Sequence, residues 1–246
     1  FNWFKVMSDE TQEQKDKRLK LLGIVQPGRV GDIIIVLPIA KWYHDLGYHV
    51  VWPVVQDYVP MFDYVNYVEC MDIGPGLSGS YVRSLQILKD RGITNVLDLG
   101  IGFGRDESDW EYKEIAFDAW KYKTAGVPFE ERFNLQINRN FQKELDLQRE
   151  LKLITEENYE VTHSVGSKGV INFNKPKGVE IKPIDGYTIF DWIGIIEKSK
   201  WTYCCDSCAA HMMNQLGLAK GRRTFLFWPQ YMNGAWIHRP SIDWSK

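Results

Sequence analysis

The stretch "QPGRVGDIIIVLPIAKW", Gln26 to Trp42, decides how the chain is read. It joins a short apolar run, Leu21 to Val25, to a longer one through a polar turn punctuated by Gly28 and Gly31, with Arg29 between them. An apolar run, a glycine turn and an apolar helix open a parallel β-α unit, whose turn presents backbone N–H groups at a helix start, where anions bind. The two glycines would let a ligand come close to the backbone. Asp32 stands at the hinge and has two readings. At the N-cap its carboxylate accepts hydrogen bonds from first-turn N–H groups. At the carboxyl end of a strand it stands where open α/β sheets bind ligands, and it can serve as a general base toward a hydroxyl.

Outward from that stretch the same alternation recurs. Asp32 to Leu46 reads as a helix closed by Gly47, and His49 to Val55 as a strand rich in β-branched residues, with Pro53 hinting at its end. Tyr67 to Ile73 is another strand. Ser80 to Asp90 is a helix with Val82, Leu85 and Leu88 on one face. "NVLDLGIGFG" runs from strand into glycines, and a helical stretch covers Trp110 to Thr124. Between Arg139 and Glu160 the chain turns charged and helix-forming, an amphipathic connector that places a domain boundary near residue 156.

The second half repeats the logic. Tyr159 to Thr162 is a strand followed by the loop "HSVGSKG", which places His163, Ser164, Ser167 and Lys168 at a strand's end, with Lys168 the candidate for phosphate charge. "GVEIKPIDG" is extended. Thr188 to Lys198 is a helix, with Thr188 and Asp191 spaced as a capping box. "WTYCC" is a strand, Ser207 to Leu216 a helix ending at Gly217, and "RTFLFW" the last strand. Alternating strands and helices imply parallel sheets with crossover connections, an α/β class. The expected units are residues 1–156 and 157–246.

The totals narrow the function. A chain of 246 residues with 44% apolar and 25% charged content suits a globular protein of one large or two small domains. Its net charge of −2 supplies no global field toward nucleic acid or anionic lipid. No apolar run approaches the roughly 20 residues of a membrane span, and "FNWFKVMSDE" lacks the pattern of a signal peptide. Four cysteines, three of them within five residues, make no secreted disulfide framework, so a reducing, cytoplasmic location is expected.

"YCCDSCAAHMMNQLG" is the second constellation: a strand, an acidic residue, small residues and a helix. The Ser207 and Cys208 backbone N–H groups at that helix entrance could hold a phosphate, with Asp206 beside them and His211 one turn in. Cys205, Cys208 and His211 also spell C-x2-C-x2-H. That spacing is too compressed for the usual two-pair zinc site, and buried small hydrophobes account better for these cysteines.

Taken together, "GRVGDIIIVLPIAKW" and "GYTIFDWIGIIEKSKWTYCCDSCAAHMMNQLG" resemble two motifs of the lipopolysaccharide heptosyltransferase family. The first resembles its amino-terminal glycine-aspartate turn and proline-bearing apolar helix. The second resembles its Gly-x-Thr helix, strand and Asp-Ser-x-x-x-His helix, and together they cover about fifty of the 246 residues. The resemblance implies a GT-B glycosyltransferase, with two Rossmann-like domains and parallel sheets facing across a cleft. Acceptor would bind on the first domain and nucleotide-sugar on the second. It implies Asp32 as catalytic base, Thr188, Asp206, Ser207, Cys208, Ala209 and His211 on the donor side, and no cofactor or obligatory metal. Cys208 stands where the family has a glycine, and the second half, about ninety residues, is short for the family. An acceptor saccharide is the implied partner. A hydroxymethylated base in DNA, or a catalytically inactive nucleotide-binding relative, are the alternatives.

Overall fold

The computed structural model describes residues 20–100, 115–166, 169–171 and 178–218, and the backbone of 223–227. Two four-stranded parallel sheets carry the chain. In the first, β1 (Leu21–Val25), β2 (His49–Val54), β3 (Glu69–Asp72) and β4 (Val96–Asp98) lie in the order β3-β2-β1-β4. In the second, β5 (Glu160–His163), β8 (Gly178–Glu180), β9 (Trp201–Cys205) and β10 (Arg223–Phe227) lie in the order β10-β9-β5-β8. A small antiparallel ribbon, β6 (Val165–Gly166) with β7 (Gly169–Val170), leaves the end of β5. Each large sheet reverses its strand order beside its first strand: β4 lies on the far side of β1 from β2, and β9 on the far side of β5 from β8. Such switch points leave a crevice at the carboxyl ends of the strands.

Helix α1 (Val30–Asp45) is the hub. Every residue from Asp32 to Ala40 is buried, as expected of a helix that is hydrophobic all round. It packs against β2, against the 3₁₀ turn Phe129–Asn134 and against helix α6 (Cys208–Gln215), so each half of the chain covers part of it. Full burial of each Ile, Val or Leu stabilises by about 1.5–3 kcal/mol, which makes this run a large share of the core. Pro38 sits inside the helix and has no N–H to give Ile34. One turn earlier, Tyr122 Oη donates to the Ile35 carbonyl at 3.1 Å.

Helix α2 (Ser80–Asp90) has the bounds expected from the sequence, but its inward face differs. Ser80, Ser84 and Leu88 are buried, whereas Val82 is 67% exposed and Leu85 36%. The helix lies so close to the sheet that a Cβ on Gly23 would stand 2.8 Å from Leu88 Cδ1. Leu88 fills the space above Gly23, and the two buried serines share its face at four-residue spacing. Pro53 lies within β2 rather than ending it, in register with Met71.

Of the expected Trp110–Thr124 helix, the described part is α3 (Phe117–Ala125); residues 101–114 lie outside the description. The charged connector forms α4 (Phe141–Glu150), which packs on α5 (Ile193–Lys198). There Arg139 forks onto Glu144 and Glu197, at 2.6–2.8 Å. The capping box is present: Thr188 Oγ1 accepts from Phe190 N–H at 3.2 Å, and Asp191 accepts the Thr188 N–H at 2.7 Å. It closes a 3₁₀ turn, Ile189–Trp192, ahead of α5. Among the described residues, no helix is long and apolar enough to cross a membrane.

Candidate functional site

The carboxyl ends of β1, β5, β8 and β9 open into one cavity of about 650 Å³. Two helix N-termini meet in its wall. A Cβ on Gly31, in the first turn of α1, would lie 3.6 Å from Cys208 Cα and 3.7 Å from Cys208 N, the first residue of α6. Both macrodipoles thus bring their positive ends to one place.

Asp32 is in the first turn of α1, not at its N-cap. The cap is Arg29, held at φ 63°, and no side chain accepts a capping bond there. The Asp32 carboxylate is therefore not spent on the helix. Its side chain is 10% exposed, and Oδ1 is buried with no hydrogen-bond partner. Lys121 Nζ stands 3.4 Å from that oxygen, within ion-pair reach. Lys121 was not singled out from the sequence, because "FDAWKYK" reads as an ordinary helix face.

His163 ends β5 and Ser207 follows β9, so their contact spans the second sheet's switch point. The Ser207 hydroxyl donates to the Cys205 carbonyl at 3.0 Å, and His163 Nδ1 lies 2.6 Å from Ser207 Oγ. With the hydroxyl hydrogen so committed, Nδ1–H is the donor and Nε2 is left as an acceptor. Burial holds the His163 pKa below the ordinary histidine value, against the opposing charge of Glu180. Glu180 is itself locked: Oε1 accepts from the Ser164 N–H and Oγ at 2.7 Å, and Oε2 from Thr162. Burial opposes its ionisation, but those bonds outweigh it and hold its pKa below the usual value.

The direction of the His163 shift fixes a pH dependence. The unfolded chain takes up a proton near pH 6.5 and the folded chain only at lower pH. Stability is therefore complete above that value and is lost as pH falls from it toward the lower folded pKa, with a slope of at most about 1.4 kcal/mol per pH unit. Urea denaturation of wild type and H163Q between roughly pH 7.5 and pH 5 checks this. The expected result is a flatter profile for H163Q; parallel profiles would show that His163 contributes no such slope.

The cavity gathers Arg29, Gly31 and Asp32 from the first half with His163, Ser164, Asp206, Ser207, Cys208 and His211 from the second. His211 Nε2 lies 3.7 Å from Asp206 Oδ1. Three expected residues do not line it. A Cβ on Gly28 would strike Leu77 at 2.5 Å and Tyr58 at 2.7 Å, so protein packing, not a ligand, occupies that space. Thr188 is engaged in its capping box, and Ala209 is fully buried. Ser167 and Lys168 lie outside the described residues. Tyr58, Phe117, Asp118, Glu180 and Lys182 join the lining without having been singled out. For Glu180 and Lys182 a signal existed, since "VEIKP" ends a parallel strand on the ligand side of the sheet.

The cysteines are thiols. Burial fully covers Cys204 and raises its pKa well above the ordinary value, and it pushes Cys205 up to about 11 and Cys208 up to about 12. Among the described residues, no group of three His, Cys, Asp or Glu side chains is placed to hold a metal ion.

No family model matches the sequence, and no curated protein matches it. Solved structures do share its fold, two sugar transferases among them. One is the glycosyl transferase family 9 protein of Veillonella parvula, with TM-score 0.55 and 10% identity over 85% of this chain and 86% of that one. Another is the ADP-heptose lipopolysaccharide heptosyltransferase II of E. coli, with TM-score 0.52 and 12% identity over 84% of each chain. At such identities the likeness is one of fold.

Proposed function

We propose that this chain is a glycosyltransferase that moves a sugar from a nucleotide-activated donor to an acceptor hydroxyl, with Asp32 as general base. The observation that carries this reading is the meeting of two helix N-termini beside a buried carboxylate that caps neither helix. One element suits an anionic leaving group, the other a proton to be removed. In a GT-B arrangement the first half, to residue 156, faces the acceptor, and the second half holds the donor.

In the reaction, the acceptor oxygen forms a bond to the anomeric carbon as the bond from that carbon to the donor's diphosphate oxygen breaks. The hydroxyl proton passes to Asp32. The departing nucleoside diphosphate takes up negative charge where the Cys208 N–H, the α6 dipole, Arg29 and Lys182 supply positive potential. His163 Nε2 accepts a hydrogen bond from a donor hydroxyl or amine. His211 donates to a phosphate oxygen.

A binding measurement tests the donor side. One nucleoside diphosphate is expected to raise Tm in EDTA, and at 100-fold over its Kd that corresponds to about 2.7 kcal/mol. The variant C208P then locates it. Proline is tolerated at the first helical position, and Ser207 already has the extended backbone that a following proline requires. C208P is expected to keep its fold and bind the diphosphate at least tenfold more weakly, having lost one N–H donor. Silence with every nucleoside diphosphate overturns the donor site. Unchanged affinity in folded C208P moves it away from α6.

A further inference from the structure

We propose that Lys121 is a positioning residue for Asp32: its ammonium holds Oδ1 inward and leaves Oδ2 facing the cavity as the oxygen that takes the proton. This deepens the transfer reading above and rests on it for its kinetic part.

Lys121 comes from α3 and is fully buried, an unusual place for a lysine. Its Nζ donates to Gln26 Oε1 at 2.5 Å and to the Leu99 carbonyl at 2.8 Å, and it stands 4.4 Å from the centre of the Phe117 ring. Gln26 follows β1 and Leu99 follows β4, the two strands that flank the first sheet's switch point. Gln26 is in turn anchored. Its side-chain amide donates to the Gly28 carbonyl at 3.1 Å, and its own carbonyl accepts the Trp52 indole N–H at 2.8 Å. The ammonium is thus placed by the sheet framework, and the carboxylate is placed by the ammonium.

The consequence is an inequivalence between two oxygens that a free carboxylate would exchange by rotation. Oδ1 is buried at 3.4 Å from Nζ, and the small exposure left to the side chain lies away from it, toward the cavity. A general base has to stand within about 2.6–3.2 Å of the proton it removes, and displacement by about 1 Å costs up to roughly 100-fold. Lys121 is not itself among the residues that line the cavity. Its removal should therefore alter turnover, not donor affinity.

The test compares wild type, K121M, D32N and D32N/K121M, with donor turnover read as release of nucleoside diphosphate. K121M is expected to lower kcat tenfold to a hundredfold with donor KM within about twofold, and to have no further effect in the D32N background. A folded K121M with wild-type kcat, or one that lowers kcat equally with and without Asp32, overturns the proposal. Should K121M fail to fold, Q26M keeps the charge but removes one anchor of the ammonium, and is expected to lower kcat at constant KM; unchanged kcat overturns the proposal. A crystal structure of K121M or Q26M gives a readout that needs no turnover. Asp32 is expected to leave its orientation, and an unmoved carboxylate overturns the assignment. If wild type turns over no donor, the transfer reading falls, and that crystallographic comparison alone decides whether Lys121 positions Asp32.

Discussion

In D32N, turnover of the nucleotide-sugar is expected to fall about 10²–10⁴-fold while affinity for the nucleoside diphosphate stays within about twofold. That range is what a general base contributes, equivalent to about 2.7–5.5 kcal/mol in the barrier. The substitution is nearly isosteric. The amide can keep its oxygen beside Lys121 Nζ, now 3.4 Å from Oδ1, so the wall of the cavity survives. What it lacks is a site that takes a proton. Because Asp32 caps neither helix, no N-terminal hydrogen bond is lost and α1 stays in place. The two measurements, diphosphate release and diphosphate binding, separate base from scaffold. Wild-type turnover in D32N would remove Asp32 from the chemistry. A chain that binds nucleotide equally in both forms and turns over in neither would be a binding module.

The second large effect is on stability. W52A is expected to lose about 3–5 kcal/mol, out of the 5–15 kcal/mol by which such domains are stable. Trp52 is fully buried in β2, and its ring meets Phe62 edge-on at 5.2 Å. Truncation would leave a cavity under the 3₁₀ turn Gln56–Tyr64, and the Gln26 carbonyl would lose its 2.8 Å donor. W52F separates these contributions, since it keeps most of the volume and loses the N–H, at a cost of about 1–3 kcal/mol for a buried acceptor left unpaired. Guanidinium denaturation of the three proteins gives both numbers. A loss below about 1 kcal/mol in W52A would mean that this layer repacks around the missing ring. Since Gln26 also anchors Lys121, W52F should lower turnover at constant donor KM.

Much of the architecture was legible in the residues. Ser80 to Asp90 and Trp201 to Cys205 have the bounds that periodicity and β-branched content give them. Gly47 and Gly217 follow the ends of their helices with positive φ, at 86° and 67°, because a left-handed residue there costs glycine little. The Thr188–Asp191 box is a contact across three residues, hence readable locally. The face of α2 was misjudged because hydrophobic spacing assumes that the largest apolar residues point inward. Here Ser80 and Ser84 are buried on the face that carries Leu88, the side chain that packs over Gly23.

The site was legible in part, for the same reason. Asp32, Ser207 and His211 fall at strand ends and helix starts, positions set by short-range pattern, and the structure gathers them in one cavity. Thr188 and Ala209 carry motif positions but face a cap and the core. Lys121 carried no motif.

The sequence by itself determined the alternation of strands and helices, the ends of α2, and that two parallel-sheet units follow one another. Hydrophobic period, capping and glycine closure act within a dozen residues, so the string encodes them directly. Only the tertiary structure decided what stands beside Asp32. The lysine that compensates its charge comes from α3, the helix N-terminus that shares its wall from α6, and the histidine opposite from β5. Those elements are distant along the chain. Their meeting is set by how elements of both halves pack around one buried helix, a property of the whole and of no single stretch.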